Sequence, residues 1–211
     1  MTQKPPVRCI VADDHAATRQ GVTEILSAQG DIEVVATASD GPEAVHLMQH
    51  YRPDVAVIDV LMPGKGGLDV VKEVQDSGLG TVIVIYSGYP DPEVVRACTE
   101  AGAKGFVLKS APAEELLRAV RTVAAGDAYI DATALEPAPA ESGNERSLLS
   151  KREREVLQLL ANGRTNDETA QEVGLSPATV RTYLRSVYVQ LGVRNKIELG
   201  GALDPADRAR R

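Results

Sequence analysis

The chain has 211 residues, of which 43% are hydrophobic and 25% are charged, and its formal net charge is −7. These proportions are ordinary for a soluble globular protein with room for one large domain or two modest ones. The apolar runs are far shorter than the roughly 20 residues of a membrane span, and Cys9 and Cys98 have no CxxC spacing, so we expect a cytoplasmic protein without an anchor, a disulfide or a metal-thiolate site.

The first part of the chain alternates between two kinds of apolar pattern. Short runs rich in β-branched residues predict strands at 7–12, 32–38, 55–60, 81–86 and 105–109. Amphipathic stretches predict helices between and after them, at about 15–28, 41–50, 66–76, 91–101 and 112–125. Because the strands are almost continuously hydrophobic, both faces of their sheet should be covered. The pattern therefore predicts a doubly wound α/β domain over residues 1–130, built on a five-stranded parallel sheet.

The composition changes after this domain. Residues 131–146, DATALEPAPAESGNER, are rich in Ala, Pro, Glu and Ser and predict a linker. Helix-start signals then recur in residues 147–211, and the second of these helices should end near Gly174. The signals are Ser150 with Glu153, Thr165 with Glu168, and Ser176 with Pro177. We expect a small all-α domain that contains a helix-turn-helix unit.

Polar side chains stand where the predicted strands end. Asp13 and Asp14 follow the first strand, and Asp59, Ser87 and Lys109 end or follow the third, fourth and fifth. Right-handed crossovers bring these strand ends to one edge of the sheet, where such folds bind ligands. Three neighbouring carboxylates repel one another unless a hard cation lies between them, and Mg²⁺ fits that role. With an ammonium and a hydroxyl at hand, the set predicts phosphoryl transfer to a carboxylate nucleophile.

The third helix of the second domain has a polar face that carries Arg181, Thr182 and Arg185. Residues 1–130 carry 18 acidic and 11 basic side chains, whereas no acid lies between Glu172 and Glu198. A helix with this face could enter the DNA major groove, where arginine binds guanine, or its arginines could contact phosphates alone. The sequence leaves open which arginine does which.

Four motifs of the first domain resemble the receiver domain of bacterial two-component response regulators over about residues 5–127. The motifs are DD at 13–14, VIDVLMPGKGG around Asp59, YSG around Ser87 and GFVLK ending at Lys109. The resemblance implies a flavodoxin-like fold in which Asp59 accepts a phosphoryl group from a histidine kinase. The metal ligands that it implies for Mg²⁺ are Asp13 or Asp14, Asp59 and the backbone carbonyl of Leu61. It also implies that Phe106 rotates inward when Ser87 engages the phosphoryl group.

Residues 149–199 resemble the LuxR-type helix-turn-helix of the NarL/FixJ response regulators. The resemblance implies a recognition helix from Pro177 to about Gln190, and a final helix that pairs two subunits on a two-fold DNA site. Asn195 and Lys196 would help to hold the DNA backbone. Thr169 is a departure, because relatives usually carry a larger apolar residue at its position.

Taken together, these features predict a regulator rather than an enzyme. We expect that phosphorylation of Asp59 by a sensor histidine kinase controls homodimer formation and promoter binding. One alternative is a Mg²⁺-dependent phosphohydrolase, but Leu61 stands where such an enzyme would need a general acid. Another is a receiver that dimerises or senses a ligand without phosphorylation, and the complete set of strand-end residues disfavours it.

Overall fold

The computed structural model describes residues 5–62, 64–88, 90, 92–135, 156–160, 162–175, 177, 180 and 184. Its strands are β1 (Val7–Ala12), β2 (Ile32–Ala38), β3 (Val55–Asp59), β4 (Val82–Ser87), β5 (Gly105–Leu108) and β6 (Tyr129–Ile130). Its helices are α1 (Ala16–Ser27), α2 (Gly41–Tyr51), α3 (Gly67–Ser77), α4 (Pro92–Glu100), α5 (Ala113–Ala124) and α6 (Asn166–Val173), with a 3-10 helix at Ala132–Leu135. Residues 156–160 are also helical. Within these ranges no helix is long and apolar enough to cross a membrane.

The strands form one parallel sheet in the order β2-β1-β3-β4-β5-β6. The doubly wound, flavodoxin-like α/β fold expected from the sequence is confirmed, but the sheet has six strands rather than five. The sixth, β6, has only two residues, so it produces no hydrophobic run that a sequence pattern could reveal. Its backbone continues the pairing beside β5, and the N–H of Asp131 donates to the carbonyl of Phe106 at 2.9 Å.

Helices cover both faces of the sheet. One core lies under α2, α3 and α4 and includes Met48, Val71 and Cys98. The other lies under α1 and α5 and includes Leu26 and Val120. All five residues of β3 are buried, because this central strand is covered on both sides. The strands whose carboxyl ends bear the predicted site residues are therefore fixed in position by the core.

Helix α3 begins directly against the end of β3. A Cβ added at Gly67, the first residue of α3, would lie 2.6 Å from the carbonyl oxygen of Asp59. The N–H of Gly67 also donates to the carbonyl of Val60 at 2.8 Å. The absence of a side chain at Gly67 thus lets the helix approach the strand end at which Asp59 lies.

The first residues of the predicted linker pack against the α/β domain. Asp131 is buried, and its carboxylate accepts hydrogen bonds from the backbone N–H and the hydroxyl of Thr133. Ala134, within the 3-10 helix, is fully buried in the core that lies under α4. Residues 136–155 lie outside the described residues.

Helix α6 is the second helix predicted for the C-terminal region. The predicted capping box is confirmed: Thr165 Oγ1 accepts from the N–H of Glu168, and the Glu168 carboxylate accepts from the N–H of Thr165. The helix ends at Val173, and its C-cap residue is Gly174 with φ +63°, near where the sequence predicts the end. Thr169 faces inward and is fully buried. Its hydroxyl has no hydrogen-bond partner among the residues that the structure describes.

Candidate phosphoacceptor and metal site

The carboxyl ends of four strands bring the predicted site residues to one edge of the sheet. Asp59 ends β3 and lies beside Tyr86 of β4, and Ser87 of β4 lies beside Leu108 of β5. Lys109 follows Leu108, and its N–H donates to the carbonyl of Ser87 at 2.6 Å. The side chains of Asp59 and Ser87 are buried, with only 7% and 5% of their residue surface exposed. The convergence follows from parallel pairing and right-handed crossovers.

Lys109 joins two of the acids. Its ammonium nitrogen lies 2.7 Å from Asp13 Oδ2 and 3.0 Å from Asp59 Oδ1. The Asp13 and Asp59 side chains are almost fully buried, and that of Lys109 is largely so. The Lys109 ammonium thus pairs with two carboxylates, one just after β1 and one at the end of β3. Without it, these buried carboxylates would be desolvated charges without compensation.

Burial and charge act on the ionisation of this group. Burial raises the pKa of Asp59 from its usual 3.8 to about 8; the nearby Lys109 ammonium opposes the rise, while Asp13 and Asp14 add to it. Burial lowers the pKa of the Lys109 ammonium, but the Asp59 and Asp13 carboxylates outweigh it, so the pKa is raised overall. Lys109 therefore stays charged, and without a further cation Asp59 retains a proton near neutral pH.

The N-terminal acids present carboxylate oxygens to the site. Asp13 Oδ1 accepts a hydrogen bond from the N–H of His15 at 2.8 Å, and Arg19 donates to the Asp13 carbonyl at 2.5 Å. Asp13 Oδ2 and Asp14 Oδ1 are buried; Asp13 Oδ2 lies 2.7 Å from the Lys109 ammonium, and Asp14 Oδ1 lies 2.8 Å from His15 Nδ1. Carboxylate oxygens of this kind are ligands that Mg²⁺ prefers, so the residues present fit the cation.

His15 is a member of the site that sequence reasoning missed. Asp13, Asp14, His15 and Asp59 each offer one ligand atom, and these four atoms lie within 4.8 Å of one another. A histidine directly after an acid pair was the signal available in the sequence. Whether the imidazole turns toward the acids depends on where α1 begins, and a periodic pattern locates that point only to within a residue or two.

The remaining predicted residues lie in different places. Leu61 is buried two residues beyond Asp59, and the metal-binding role of its carbonyl remains a prediction. Phe106 is buried in β5 beside Ile85, in the core under α4, and its rotation remains a prediction too. The predicted DNA contacts lie outside the described residues; these are Arg181, Thr182, Arg185, Asn195 and Lys196.

Two family models match the chain. Residues 9–121 match the response regulator receiver domain, and residues 147–200 match the bacterial regulatory proteins of the luxR family. The oxygen regulatory protein NreC of Staphylococcus aureus is 39% identical over 205 residues, which are 92% of this chain and 94% of NreC.

Two solved structures extend the likeness. The receiver domain of NarL from Mycobacterium tuberculosis is 37% identical, with a TM-score of 0.57, and the match covers 58% of this chain and 99% of that one. The response regulator ChrA of a heme-sensing two-component system is 33% identical, with a TM-score of 0.56, and the match covers 98% of this chain and 99% of ChrA. The chain therefore belongs to the NarL/FixJ-type response regulators, which join a receiver domain to a LuxR-type helix-turn-helix domain.

Proposed function

We propose that Asp59 is the phosphoacceptor of this response regulator, and that its phosphorylation by a sensor histidine kinase controls homodimer formation and promoter binding. The observation that carries the proposal is the position of Lys109, whose ammonium lies between Asp13 and Asp59. An ammonium at the nucleophile can hold a phosphoryl oxygen as soon as the group arrives. Asp59 is also the carboxylate at the end of β3, a central strand whose residues are all buried.

The chemistry at Asp59 is a simple displacement. An oxygen of the ionised carboxylate attacks the phosphorus of a phosphohistidine on the kinase. The new O–P bond forms as the P–N bond breaks, and the electron pair of the P–N bond returns to the donor imidazole. Bound by Asp13, Asp14, Asp59 and the carbonyl of Leu61, Mg²⁺ would supply positive charge that favours the ionised acids and offsets the charge on the phosphoryl oxygens.

The strand pairing allows phosphorylation of Asp59 to affect the receiver surface. Ser87 ends the strand that pairs with β3, and its hydroxyl is the natural donor to a phosphoryl oxygen on Asp59. Phe106 lies on the next strand beside Ile85, so a shift at the end of β4 changes the space into which Phe106 packs. We propose that this change alters the surface through which receivers contact one another.

The rest of the chain has proposed roles that follow from the resemblance. Residues 1–130 form the receiver, 131–146 the linker and 147–211 the DNA-binding domain. Arg181, Thr182, Arg185, Asn195 and Lys196 contact promoter DNA, which places the protein in the cytoplasm with its target. A homodimer binds two half-sites, because the second half-site is bound intramolecularly once the first is held.

The proposal is tested with a small phosphodonor and Mg²⁺. Wild-type protein should incorporate labelled phosphoryl groups, whereas Asp59→Asn should incorporate none, because an amide is not a nucleophile of comparable strength. Asp76→Asn, an exposed change on α3, is the matched control and should label as wild type does. Equal labelling of wild type and Asp59→Asn would contradict the proposal.

Binding to DNA is tested separately. Selection of sites from random DNA should enrich a two-fold motif, and phosphorylated wild type should bind it more tightly than the unphosphorylated protein or Asp59→Asn does. The same protein should not turn over generic phosphoesters, because we propose a regulator and not a phosphohydrolase. If phosphorylation left the affinity for DNA unchanged, the proposed control of promoter binding would be wrong. Multiple turnover of phosphoesters would instead favour the phosphohydrolase.

A further inference from the structure

Arg19 lies in α1 and contacts the loop of the N-terminal acids at two points. Its backbone N–H donates to the carbonyl of His15 at 2.9 Å. Its guanidinium Nη1 donates to the carbonyl of Asp13 at 2.5 Å, and this hydrogen bond is partly buried. One residue of the helix thus holds the loop through its backbone and through its side chain.

The carbonyl of Asp13 needs a partner from outside the backbone of α1. His15 is the N-cap residue, so the hydrogen bonds of the helix begin at its carbonyl. Asp13 comes earlier in the chain, and its carbonyl lies outside that ladder. The N–H of Asp13 donates to the carbonyl of Ala38, at the end of β2, at 3.2 Å. Arg19 and Ala38 therefore hold the two backbone polar groups of Asp13.

The charge of Arg19 also acts on the residues that follow β2. The N–H and the hydroxyl of Ser39 hold the pKa of Glu43 below its usual range, and the positive charge of Arg19 adds a smaller lowering. The Glu43 carboxylate therefore attracts the guanidinium from a side other than that of the Asp13 carbonyl. Attraction from both sides favours one position of the Arg19 side chain.

The backbone of Asp13 determines where its carboxylate lies. Oδ1 accepts from the N–H of His15 at 2.8 Å, and Oδ2 lies 2.7 Å from the Lys109 ammonium. The same ammonium lies 3.0 Å from Asp59 Oδ1. A shift of the Asp13 backbone would therefore change the surroundings of Lys109 and the direction of an acid ligand. Mg²⁺ is sensitive to such a shift, because it demands near-ideal octahedral geometry.

We infer that Arg19 is a positioning residue of the phosphoacceptor site: it fixes the backbone of Asp13, so that the Asp13 carboxylate is correctly directed toward Lys109 and a bound Mg²⁺. Arginine suits this role because its planar guanidinium stays charged at any physiological pH and presents donors in a fixed geometry. Arg19 acts through Asp13 and not on Asp59 itself. The inference rests on the proposed function in taking Asp59 as the phosphoacceptor and this edge of the sheet as the Mg²⁺ site.

The first test is Mg²⁺ affinity in the absence of a phosphodonor, measured on the full chain by titration followed in a ¹H–¹⁵N spectrum. Arg19→Met removes the donor and keeps an apolar stem that can pack as the arginine stem does. Loss of an outer-shell partner costs about 10–100-fold in metal affinity, so Arg19→Met should bind Mg²⁺ at least about tenfold more weakly than wild type. Arg118→Met, which changes an exposed arginine on α5, is the matched control and should bind Mg²⁺ as wild type does.

The second test separates positioning from folding. Phosphoryl incorporation from a small phosphodonor is measured over a range of Mg²⁺ concentrations. Arg19→Met should need about tenfold more Mg²⁺ for its half-maximal rate, and its rate at saturating Mg²⁺ should lie within about twofold of that of wild type. If Arg19 only stabilised the fold, its loss would lower the rate by the same factor at every Mg²⁺ concentration, and that result would overturn the inference.

The third test uses the wild-type chain alone and does not depend on a variant that folds. Coupling between two binding events is reciprocal, so a contact that strengthens Mg²⁺ binding is itself strengthened when Mg²⁺ binds. Hydrogen exchange of the Arg19 guanidinium, measured by NMR, should therefore slow when Mg²⁺ is added. Exchange of the exposed Arg118 guanidinium should stay the same.

Failure of the inference and failure of the proposed function are distinguishable. If Arg19→Met binds Mg²⁺ and is labelled as wild type is, and Mg²⁺ does not slow exchange at Arg19, the inference is wrong. Labelling of wild type but not of Asp59→Asn would still support the proposed function in that case. If wild type is labelled no better than Asp59→Asn, the proposed function fails, and the inference fails with it.

Discussion

At the scale of single residues, the site is a compromise between burial and charge. Asp13 and Asp59 share one ammonium, that of Lys109, and a third acid, Asp14, lies beside them. Burial raises the pKa of Asp59 to about 8, and the neighbouring carboxylates add to the rise, so the single ammonium of Lys109 does not compensate them. A pocket with this deficit binds a divalent cation readily, and its stability depends on pH when no cation is bound.

The pH dependence has a definite sign. The folded state keeps a proton on Asp59 that an unfolded carboxyl loses near its usual pKa of 3.8. This contribution to stability is fully present below about pH 4 and is lost as the pH rises to about 8. With divalent cations removed, Asp59→Asn should stabilise the protein more at pH 8 than at pH 5, by a difference of at least about 1 kcal/mol.

Urea unfolding at the two pH values measures this difference. Asp76→Asn serves as the control, since it changes the same chemical group at an exposed position. An equal effect of Asp59→Asn at both pH values would contradict the raised pKa. Addition of Mg²⁺ should reduce the difference between wild type and Asp59→Asn at pH 8, because the cation favours the ionised carboxyl.

At the scale of elements, the sequence predicted each strand and helix of the receiver except the shortest. β1 was predicted at 7–12 and is found there, because a short apolar run rich in β-branched residues is typical of a buried strand. β6 and the 3-10 helix were missed, since two and four residues carry no period. The convergence of Lys109 with Asp13 and Asp59 at one sheet edge followed from topology, whereas the approach of His15 to Asp14 depends on backbone detail at the start of α1.

Two helical glycines, Gly67 and Gly21, should respond in opposite ways to replacement by alanine. Gly67→Ala should destabilise the receiver by about 1–3 kcal/mol, because the new methyl group would collide with the carbonyl of Asp59. Gly21→Ala, in α1, meets no atom within 4 Å and should stabilise the protein by about 0.8–1 kcal/mol. Thermal unfolding measures both. Labelling of Asp59 should also fall in Gly67→Ala and remain normal in Gly21→Ala; a neutral Gly67→Ala would contradict the close approach.

Two threonines of the α6 region should respond in opposite ways. Thr169→Val removes a buried hydroxyl that has no partner among the described residues and should stabilise the C-terminal domain by about 1 kcal/mol. Thr165→Val removes the capping hydroxyl and should destabilise it by about 1 kcal/mol. Calorimetric unfolding of the full chain resolves the two signs. Destabilisation by Thr169→Val would mean that its hydroxyl is satisfied after all.

At the scale of the whole molecule, we expect the residues just beyond the predicted end of the receiver to stabilise it. Asp131 and Ala134 lie beyond the predicted border at residue 130, but both are buried against the receiver. A fragment of residues 1–135 should therefore unfold at a higher temperature than a fragment of residues 1–130, because the shorter one exposes apolar surface under α4. A fragment of residues 1–146 should match the 1–135 fragment. Equal stability of the 1–130 and 1–135 fragments would show that the 3-10 helix adds nothing.

The order of the strands has a consequence for synthesis. β1 leaves the ribosome before either of its neighbours, and its inner neighbour is not β2 but β3. The pocket draws on residues from Asp13 to Lys109, so a nascent chain cannot complete it until most of the receiver has emerged. Because such domains fold as units, a truncated translation product should not accept phosphoryl groups. It should therefore not compete with the complete protein for phosphorylation.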